Sequence, residues 1–459
     1  SSKTATPFNP LFDGGGRIIP ASFKDQFFFS VIDIEGFFVG DIDGDGWEDF
    51  GVANNNADNA IDIYRNLGLG GTLSTASFAT KVSFAIPPLA GGGTNGAGLW
   101  FADLDGDGKL DAISSNKMFV FGAAGFVTLR NISTPGNIAF EAPEYWVGGS
   151  DETPIALVAD LDGDGRPEML SGEGSQSGLS TARAMWGIQN ISTVGNIDFG
   201  ISTNLFGPVT IDGFGGVTSG DLDGDGKDEL LACHTGPTKI TVFHNISTPG
   251  SPAFDNPFTI TTNQYTYAVH TADMNLDGKN DLVYKVSGEA GVHIRLNSDT
   301  DGALTATDFS SDIIVAGDLS TYGGISLADV NGDGKPDILA TDNGDMGIYE
   351  NVFAGGVFDA NAFVPAYQYQ GNGTSTYPTS PQAADFNHDG KPDIIMGITN
   401  TSPRRVSIYE NKNVHAPYIS LNTVSPLSAP VGSTVTITGN NFSTVPTENI
   451  VWFGGVNAT

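Results

Sequence analysis

A nine-residue acidic run with the pattern D-x-[DN]-x-D-G-x-x-[DE] occurs seven times in this 459-residue chain. The runs begin at intervals of 52 to 62 residues, at Asp41, Asp103, Asp160, Asp221, Asp273, Asp329 and Asp385. Each run offers side-chain oxygens at positions 1, 3, 5 and 9 and a backbone carbonyl at position 7. Ca²⁺ takes six to eight hard oxygen ligands at about 2.3–2.6 Å, with water often completing the shell. The spacing therefore predicts calcium-binding loops, up to seven in the chain.

The predicted ligands are the side chains at positions 1, 3, 5 and 9 and the main-chain carbonyl at position 7 of each loop. In chain order they are Asp41, Asp43, Asp45, Trp47, Asp49; Asp103, Asp105, Asp107, Lys109, Asp111; Asp160, Asp162, Asp164, Arg166, Glu168; Asp221, Asp223, Asp225, Lys227, Glu229; Asp273, Asn275, Asp277, Lys279, Asp281; Asp329, Asn331, Asp333, Lys335, Asp337; and Asp385, Asn387, Asp389, Lys391, Asp393. Position 6 is glycine throughout, as expected for a sharp turn with positive φ. The fifth loop departs most, with Leu276 at position 4.

Two other interpretations of the acidic runs, an EF-hand and a solvated turn, fit the sequence less well. An EF-hand needs a bidentate Glu at position 12 and flanking helices, whereas position 12 is apolar or small here, as at Val52 and Ser114. A single run would be read as a solvated turn, but seven copies in one register favour a metal. Without metal, carboxylates about 5 Å apart repel by roughly 3 kcal/mol per pair at an effective dielectric of ~20.

The charge, the cysteine content and the apolar pattern argue against a nucleic-acid-binding protein, a disulfide-stabilised fold and a membrane-spanning chain. The chain has 53 acidic and 20 basic residues and a formal net charge of −33, which argues against a nucleic-acid partner because phosphates are bound by Lys and Arg. Cys233 is the only cysteine, so no internal disulfide can form, and we expect it to be a small buried residue. No apolar run approaches the ~20 residues of a membrane span.

Four short β-rich segments accompany each acidic run. One apolar stretch precedes the run, one follows it, and a third ends in asparagine. A fourth is predicted to open on phenylalanine, as at Phe140 and Phe254. Four strands per ~57 residues are typical of a propeller blade, so we predict an all-β, seven-bladed β-propeller. The closing asparagines are interpreted as turn residues, which makes the NIS sequons at three of them incidental; the seven are Asn66, Asn131, Asn190, Asn245, Asn297, Asn351 and Asn411.

The two ends of the repeat region are complementary. The seventh unit stops after its third strand, and the segment ASFKDQFFF near the start of the chain matches ASFATKVSF at residues 76–84. We therefore expect residues 21–30 to supply the outer strand of the last blade and to close the ring, which removes an open sheet edge. The predicted domains are a leader or linker over 1–20, the propeller over 21–413, and a different module from 416.

These motifs resemble two known families. The acidic repeats are similar to the FG-GAP/VCBS family found in integrin α-chain propellers and many bacterial surface proteins, over roughly residues 21–413. That resemblance implies calcium ions that hold each blade and are not catalysts. Residues 416–459 resemble the start of an IPT/TIG immunoglobulin-like β-sandwich, on PVGSTVTITGNNF from Pro430 and VWFGGV from Val451. A chain continuing beyond residue 459 is expected.

The combination favours a secreted or cell-surface protein, of bacterial origin, that binds an extracellular glycan or protein without catalysis and without inserting into a membrane. One alternative is a polysaccharide lyase or hydrolase built on a calcium-stabilised propeller. Another is an architectural subunit of a surface filament or stalk. No catalytic residue is assigned, because the six histidines show no paired spacing and an enzyme needs convergent His, Arg, Tyr or Lys around one cleft. His270 and Trp100 share an inner-strand position, where blade packing is the favoured role.

Overall fold

A computed structural model gives the fold of the chain. It describes residues 23, 26–31, 34, 36–54, 59–86, 96–120, 123–150, 155–172, 185–200, 214–234, 236, 238–255, 257–289, 291–300, 302–315, 324–342, 345–369, 379–398, 404–412, 420–425, 436–440, 452–453 and 456–457. The predicted leader over 1–20 lies outside these residues. In the ranges described, no helix has the length and apolarity needed to span a bilayer.

The repeat region forms seven antiparallel sheets, one for each acidic run. The first four sheets contain β2 (Gly36–Gly40), β3 (Asp49–Asn54), β4 (Ala60–Tyr64) and β5 (Val82–Ala85); β6 (Gly96–Ala102), β7 (Asp111–Val120), β8 (Ala123–Leu129) and β9 (Glu144–Ser150); β10 (Ile155–Ala159), β11 (Glu168–Gly172) and β12 (Met185–Ile188); and β13 (Phe214–Gly220), β14 (Glu229–His234), β15 (Lys239–Phe243) and β16 (Phe258–Thr261). The third sheet shows three strands among the described residues.

The remaining blades continue the same order. They contain β17 (Thr266–Ala272), β18 (Asp281–Val286), β19 (Val292–Arg295) and β20 (Ile313–Val315); β21 (Ile325–Ala328), β22 (Asp337–Asp342), β23 (Asp345–Asn351) and β24 (Phe363–Tyr369); and β25 (Gln382–Ala384), β26 (Asp393–Ile398) and β27 (Arg404–Tyr409). The seven sheets form the predicted seven-bladed propeller. Beyond it, β28 (Ser420–Ser425) pairs with β29 (Thr436–Asn440), and β30 (Trp452–Phe453) pairs with β31 (Val456–Asn457).

The seventh sheet is completed by β1 (Gln26–Val31), which pairs antiparallel with β27 in the register Gln26↔Tyr409 to Val31↔Arg404. This is the outer position inferred from the match to residues 76–84. Phe23, which aligns with Phe78 in that match, is 1% exposed and packs in a core cluster with Tyr409. The two ends of the repeat region thus share one sheet.

The core lies between neighbouring blades. The second strand of a blade packs on both of its faces, and every residue of β3, β14, β18 and β26 is buried. One core cluster accordingly contains Val283 of the fifth blade and Ile338 of the sixth. The first strands crowd together near the axis, where a Cβ at Gly220 would lie 2.1 Å from Thr271 Oγ1 of the next blade. This crowding explains the small residue that precedes each acidic run.

The fourth strand begins later than the sequence predicts. Phe140 and Phe254 form isolated bridges with the closing asparagines Asn131 and Asn245, whereas β9 begins at Glu144 and β16 at Phe258. The prediction of a strand opening on phenylalanine was therefore wrong by four residues in both blades. The phenylalanine lies where the loop first returns to the third strand, and its ring packs into the core from there.

Candidate metal centres

The acidic loops join the first and second strands of each blade, and their backbone winds around the first aspartate. In the first loop, Asp41 Oδ1 accepts hydrogen bonds from the backbone N–H groups of Gly44 (2.9 Å) and Asp45 (3.0 Å), and Oδ2 accepts one from Gly46 (2.8 Å). The Asp43 carboxylate stabilises the same turn, because its Oδ1 accepts a hydrogen bond from the Asp45 N–H. The motif spacing thus sets a compact loop whose oxygens converge.

Four of the seven loops bring at least three acidic ligand atoms within 4.8 Å of one another. The clusters are Asp41, Asp43 and Asp45; Asp103, Asp105 and Asp111; Asp160, Asp162 and Glu168; and Asp221, Asp223 and Asp225. A further cluster in the fourth blade joins Asp223 and Glu229 to His244. These groups offer the type of donor that a hard divalent cation prefers. The position-7 carbonyls stay a prediction.

The position-9 carboxylates are the most deeply buried part of each loop. Asp49, for example, is 0% exposed, its Oδ2 accepts from the Ile42 N–H, and its Oδ1 accepts from the N–H of the closing Asn66. All seven loops bury this residue, and in all seven it accepts a hydrogen bond from the N–H at position 2. Position 9 therefore ties the loop to two strands, and in the second, third and fourth blades it also belongs to an acidic cluster.

Burial raises the pKa of the position-9 carboxylates. Burial, reinforced by the neighbouring carboxylates, raises the pKa of Asp49, Glu168 and Asp337 to about 8. It raises the pKa of Asp111, Glu229 and Asp281 to about 7, and that of Asp393 well above its ordinary value. A cation bound in the loop would favour the ionised form of each carboxylate.

The third loop gives a direct test of whether the residues suit a cation. Glu168 Oε1 is buried and has no hydrogen-bond partner among the described residues. An unsatisfied buried carboxylate oxygen is costly, and Glu168 belongs to the acidic cluster of that loop with Asp160 and Asp162. A divalent cation satisfies such oxygens, so the residues present fit the predicted metal.

The backbone of the loops is left-handed at two positions. Position 6 has φ between 83° and 89° in all seven loops, which confirms the expected need for glycine. Position 4 is also left-handed, and there Leu276 (φ 61°) and His388 (φ 55°) replace glycine in the fifth and seventh loops. His388 stacks on Trp47 of the first blade at 3.8 Å between ring centroids, whereas Leu276 is exposed.

Basic side chains lie over several loops, a feature that the sequence analysis missed. Arg130 Nε lies 2.6 Å from Asp105 Oδ2, and its Nη2 lies 3.0 Å from Asp107 Oδ2. Arg65 takes the corresponding place in the first blade, and His244 Nε2 lies 3.1 Å from Asp223 Oδ2 in the fourth. Each of these residues stands just before a closing asparagine, which was the signal available in the sequence.

The closing asparagines join successive blades. Asn131 Nδ2 donates to the Leu110 carbonyl of its own loop and to the Ile42 carbonyl of the preceding loop, both at 2.8 Å. The bond to the preceding blade recurs in all seven blades, including Asn66 to the Phe386 carbonyl, which joins the first blade to the seventh. The predicted turn role also holds, as Asn131 Oδ1 accepts from the Ser133 N–H. The sequon side chains are thus buried donors.

The turn after the closing asparagine also contacts the preceding loop in the second and third blades. Gly136 N–H donates to Asp43 Oδ2, and Gly195 N–H donates to Asp105 Oδ2, both at 2.9 Å. The oxygen at position 3 that receives this bond belongs to the previous blade in each case. Loop and blade interface therefore form one hydrogen-bonded unit.

The fifth blade contains the convergent set of titratable side chains that the sequence analysis did not find. Asp312 Oδ1 accepts from Tyr284 and Arg295, and its Oδ2 lies 3.6 Å from His293 Nδ1. Burial alone would raise the pKa of Asp312, but these donors hold it well below its ordinary value. His293 and Tyr284 are fully buried. The set connects strands inside the blade.

Trp100, His270 and Cys233, the other residues noted in the sequence, lie in strands or in the core of the propeller. Trp100 packs against the core between the second and third blades. His270 lies on β17, and burial lowers its pKa. Cys233 is a buried free cysteine, as predicted, and burial raises its pKa to about 12.

Several solved structures are similar to this chain at low sequence identity. No curated protein sequence matches the chain. Among solved structures, an Agrocybe aegerita lectin that recognises non-reducing terminal N-acetylglucosamine is 15% identical, with a TM-score of 0.46 and coverage of 83% of this chain and 89% of its own. The rhamnogalacturonan lyase YesW is 14% identical, with a TM-score of 0.47 and coverage of 89% and 76%. BBS1N in complex with ARL6DN is 10% identical, with a TM-score of 0.49 and coverage of 85% and 97%.

Two family models match the sequence itself. The model of the IPT/TIG domain matches residues 420–459. The model of the FG-GAP-like repeat matches residues 41–114, 160–232, 221–284 and 329–396, which together exceed half of the chain. Both kinds of domain are typical of extracellular proteins. The chain belongs to the family of FG-GAP-like repeat proteins.

Proposed function

We propose that this chain is an extracellular recognition module whose acidic loops bind Ca²⁺ and whose loop-bearing edge binds a glycan or protein ligand without catalysis. The observation that carries the proposal is the bond from each closing asparagine to the acidic loop of the preceding blade, which recurs in all seven blades. A calcium ion in each loop would thus have a structural task at the neighbouring blade interface.

The donor sets support Ca²⁺ over softer metals. The loops offer carboxylate, amide and carbonyl oxygens, which suit hard cations, whereas cysteine is absent from them. Bound Ca²⁺ would supply positive charge between carboxylates that otherwise repel. Asp41 and Asp43 would hold the ion from the loop, and Asp49 would tie it to the second and third strands.

The buried set in the fifth blade supports recognition over catalysis. An enzyme acting on a polymer needs its acid and base to touch the substrate. His293 and Tyr284 are 0% exposed, and Arg295 and Asp312 bond to them and to each other. This set of His, Tyr, Arg and Asp side chains lies between strands of the blade.

Exposed aliphatic side chains supply a contact surface on the edge that carries the loops. Ile132, Ile191 and Ile246 follow the closing asparagines of the second, third and fourth blades and are 41–47% exposed. Val194 is 73% exposed, and its Cγ2 lies beside Gly106 of the second acidic loop. Apolar groups placed next to polar loops are typical of recognition surfaces.

Glycan-array screening of the calcium-loaded chain, together with a lyase assay on acidic polysaccharides, tests the proposal. We expect retention of a subset of glycans, or of an extracellular matrix protein in a parallel array, that is lost with chelator, and no unsaturated product. Ile191→Ser with Val194→Ser should weaken retention, whereas Val357→Ser, at a comparably exposed valine of the sixth blade, should not. Calcium-dependent cleavage would instead establish the polysaccharide lyase. Loss of neither binding nor stability in chelator would contradict the role given to calcium.

A further inference from the structure

The turn after the closing asparagine of the fifth blade carries an acid where three other blades carry serine. In the second blade, Ser133 N–H donates to Asn131 Oδ1, and the Ser133 hydroxyl bonds to the backbone of Ala139. Ser192 and Ser247 occupy the same place in the third and fourth blades. In the fifth blade the equivalent residue is Asp299, whose N–H donates to Asn297 Oδ1 at 3.0 Å.

The carboxylate of Asp299 is buried with one oxygen unsatisfied. The residue is 5% exposed, and its Oδ2 accepts from the Gly302 N–H at 2.9 Å. Its Oδ1 is buried and has no hydrogen-bond partner within the ranges that the structure describes. A buried carboxylate oxygen without a donor is costly, so this atom calls for a partner of positive charge.

Asp299 lines a cleft of about 350 Å³ between the fourth and fifth blades. One wall is the fourth acidic loop, with Asp221 and Asp223, and the other includes residues 278–280 of the fifth loop and Thr300. The cleft therefore has carboxylates on both sides of a blade interface. Lys279 lines it too, but forms no ion pair with Asp299 in the described part of the chain.

The equivalent gaps in earlier blades are closed by hydrogen bonds. Gly136 and Gly195 donate there to the position-3 aspartate of the preceding loop. At the junction of the fourth and fifth blades, the position-3 oxygen Asp223 Oδ2 faces His244 of its own blade. The junction keeps a wider polar cleft, and the serine that would stand there is replaced by an acid.

We propose that this cleft binds an additional divalent cation of the calcium type, anchored by Asp299 and separate from the ion of the fourth acidic loop. The ligand class follows from the residues that line the cleft, which include three aspartates, an asparagine and a threonine, all carriers of hard oxygen ligands. The ion joins the fourth and fifth blades, in place of the backbone hydrogen bond that joins the second to the first and the third to the second.

Counting bound calcium in the full chain tests this site. Asp299→Ser restores the residue that the second, third and fourth blades carry, so the fold is expected to persist, and circular dichroism checks it. Native mass spectrometry at saturating Ca²⁺ should find one ion fewer than in the unchanged chain. Asp103→Ala, in the second loop, should also lose one ion, and the two changes together should lose two. Asp299→Asn is the second variant and should give the same count as Asp299→Ser.

Two results would overturn the site. An unchanged ion count in Asp299→Ser, while Asp103→Ala loses one, means that Asp299 anchors no ion. Asp225→Ala removes a predicted ligand of the fourth loop that does not line the cleft, so Asp299→Ser added to it should lose a second ion; loss of only one ion from the double variant means that Asp299 supports the ion of the fourth loop and that the cleft holds none of its own. Glu289→Gln removes another acid of the same blade, away from the cleft, and should leave the count unchanged.

Discussion

The first four blades and the last three differ at two positions together, one in the acidic loop and one just before the closing asparagine. In the first four, position 3 of the loop is aspartate; in the last three it is asparagine. The residue before the closing asparagine changes in step. It can donate a hydrogen bond in the first four blades, as Arg65, Arg130, Gln189 and His244, and it cannot in the last three, as Leu296, Glu350 and Glu410.

The contacts show this pairing in the second and sixth blades. The outer oxygen of Asp105 accepts from Arg130, whereas the side-chain amide of Asn331 donates to Glu350 Oε1 at 3.3 Å. In the fifth and seventh blades the position-3 amide donates instead to Asp277 Oδ2 and to the Gly71 carbonyl. Glu350 also restores to the sixth blade the negative charge that its loop lacks at position 3.

Removal of calcium should have the largest effect and tests whether both groups of loops bind it. A site at 100-fold excess of ligand over Kd contributes about 2.7 kcal/mol, so excess chelator should lower the melting temperature by more than about 10 °C. Hydrogen exchange should show lost protection in the second strands of both groups. Protection lost only in the first four blades would contradict a shared calcium requirement, because the asparagine-containing loops would then not need the ion. An unchanged melting temperature would contradict structural calcium altogether.

Loss of a closing asparagine should rank second. Asn131→Ala leaves the Leu110 and Ile42 carbonyls without their donor, at about 1–3 kcal/mol for each unsatisfied buried group. Asn66→Ala should cost a similar amount because it breaks the same bond between the first and seventh blades. Urea unfolding measures both. Asn137→Ala, at an exposed asparagine of the same turn, is the control and should change stability by less than about 0.5 kcal/mol.

Much smaller costs for both asparagine variants would show that the blades are held together by packing alone. A small cost for Asn66→Ala beside a large one for Asn131→Ala would show instead that the ring is weakly closed. That second outcome would separate the chain ends from the interior of the ring.

Exchanging Asn331 and Glu350 for the residue types of the second blade tests whether position 3 is coupled to the residue before the closing asparagine. Asn331→Asp places a carboxylate against buried Glu350, and we expect destabilisation of about 1–3 kcal/mol. Adding Glu350→Arg recreates the arrangement of the second blade and should recover most of this loss. A double-mutant cycle by urea unfolding in calcium measures the coupling, which should exceed about 1 kcal/mol. Additive effects would mean that the pairing is coincidental.

The local parts of this architecture could be predicted from the sequence, and the parts that cross blades could not. Seven acidic runs in one register predict the loops, the glycine turns and the seven blades, because each depends on residues a few positions apart. The bond from Asn190 to the Leu104 carbonyl spans 86 residues, and only the closed ring brings the two together. The same holds for Asp299, whose unsatisfied oxygen matters only beside the fourth loop. The asparagine in every unit was a visible signal, but turn chemistry already accounted for it.

The smallest expected effect concerns the backbone of the fifth and seventh loops. Leu276 adopts a φ of 61° and is 52% exposed, a conformation that glycine adopts at less cost. Leu276→Gly should therefore stabilise the chain by up to about 1 kcal/mol, as measured by urea unfolding. His388→Gly removes similar strain but also the stacking on Trp47, which is worth about 0.5–1.5 kcal/mol, so its net effect should be near zero or unfavourable. Equal stabilisation by both changes would show that the Trp47–His388 contact adds nothing to the junction of the first and seventh blades.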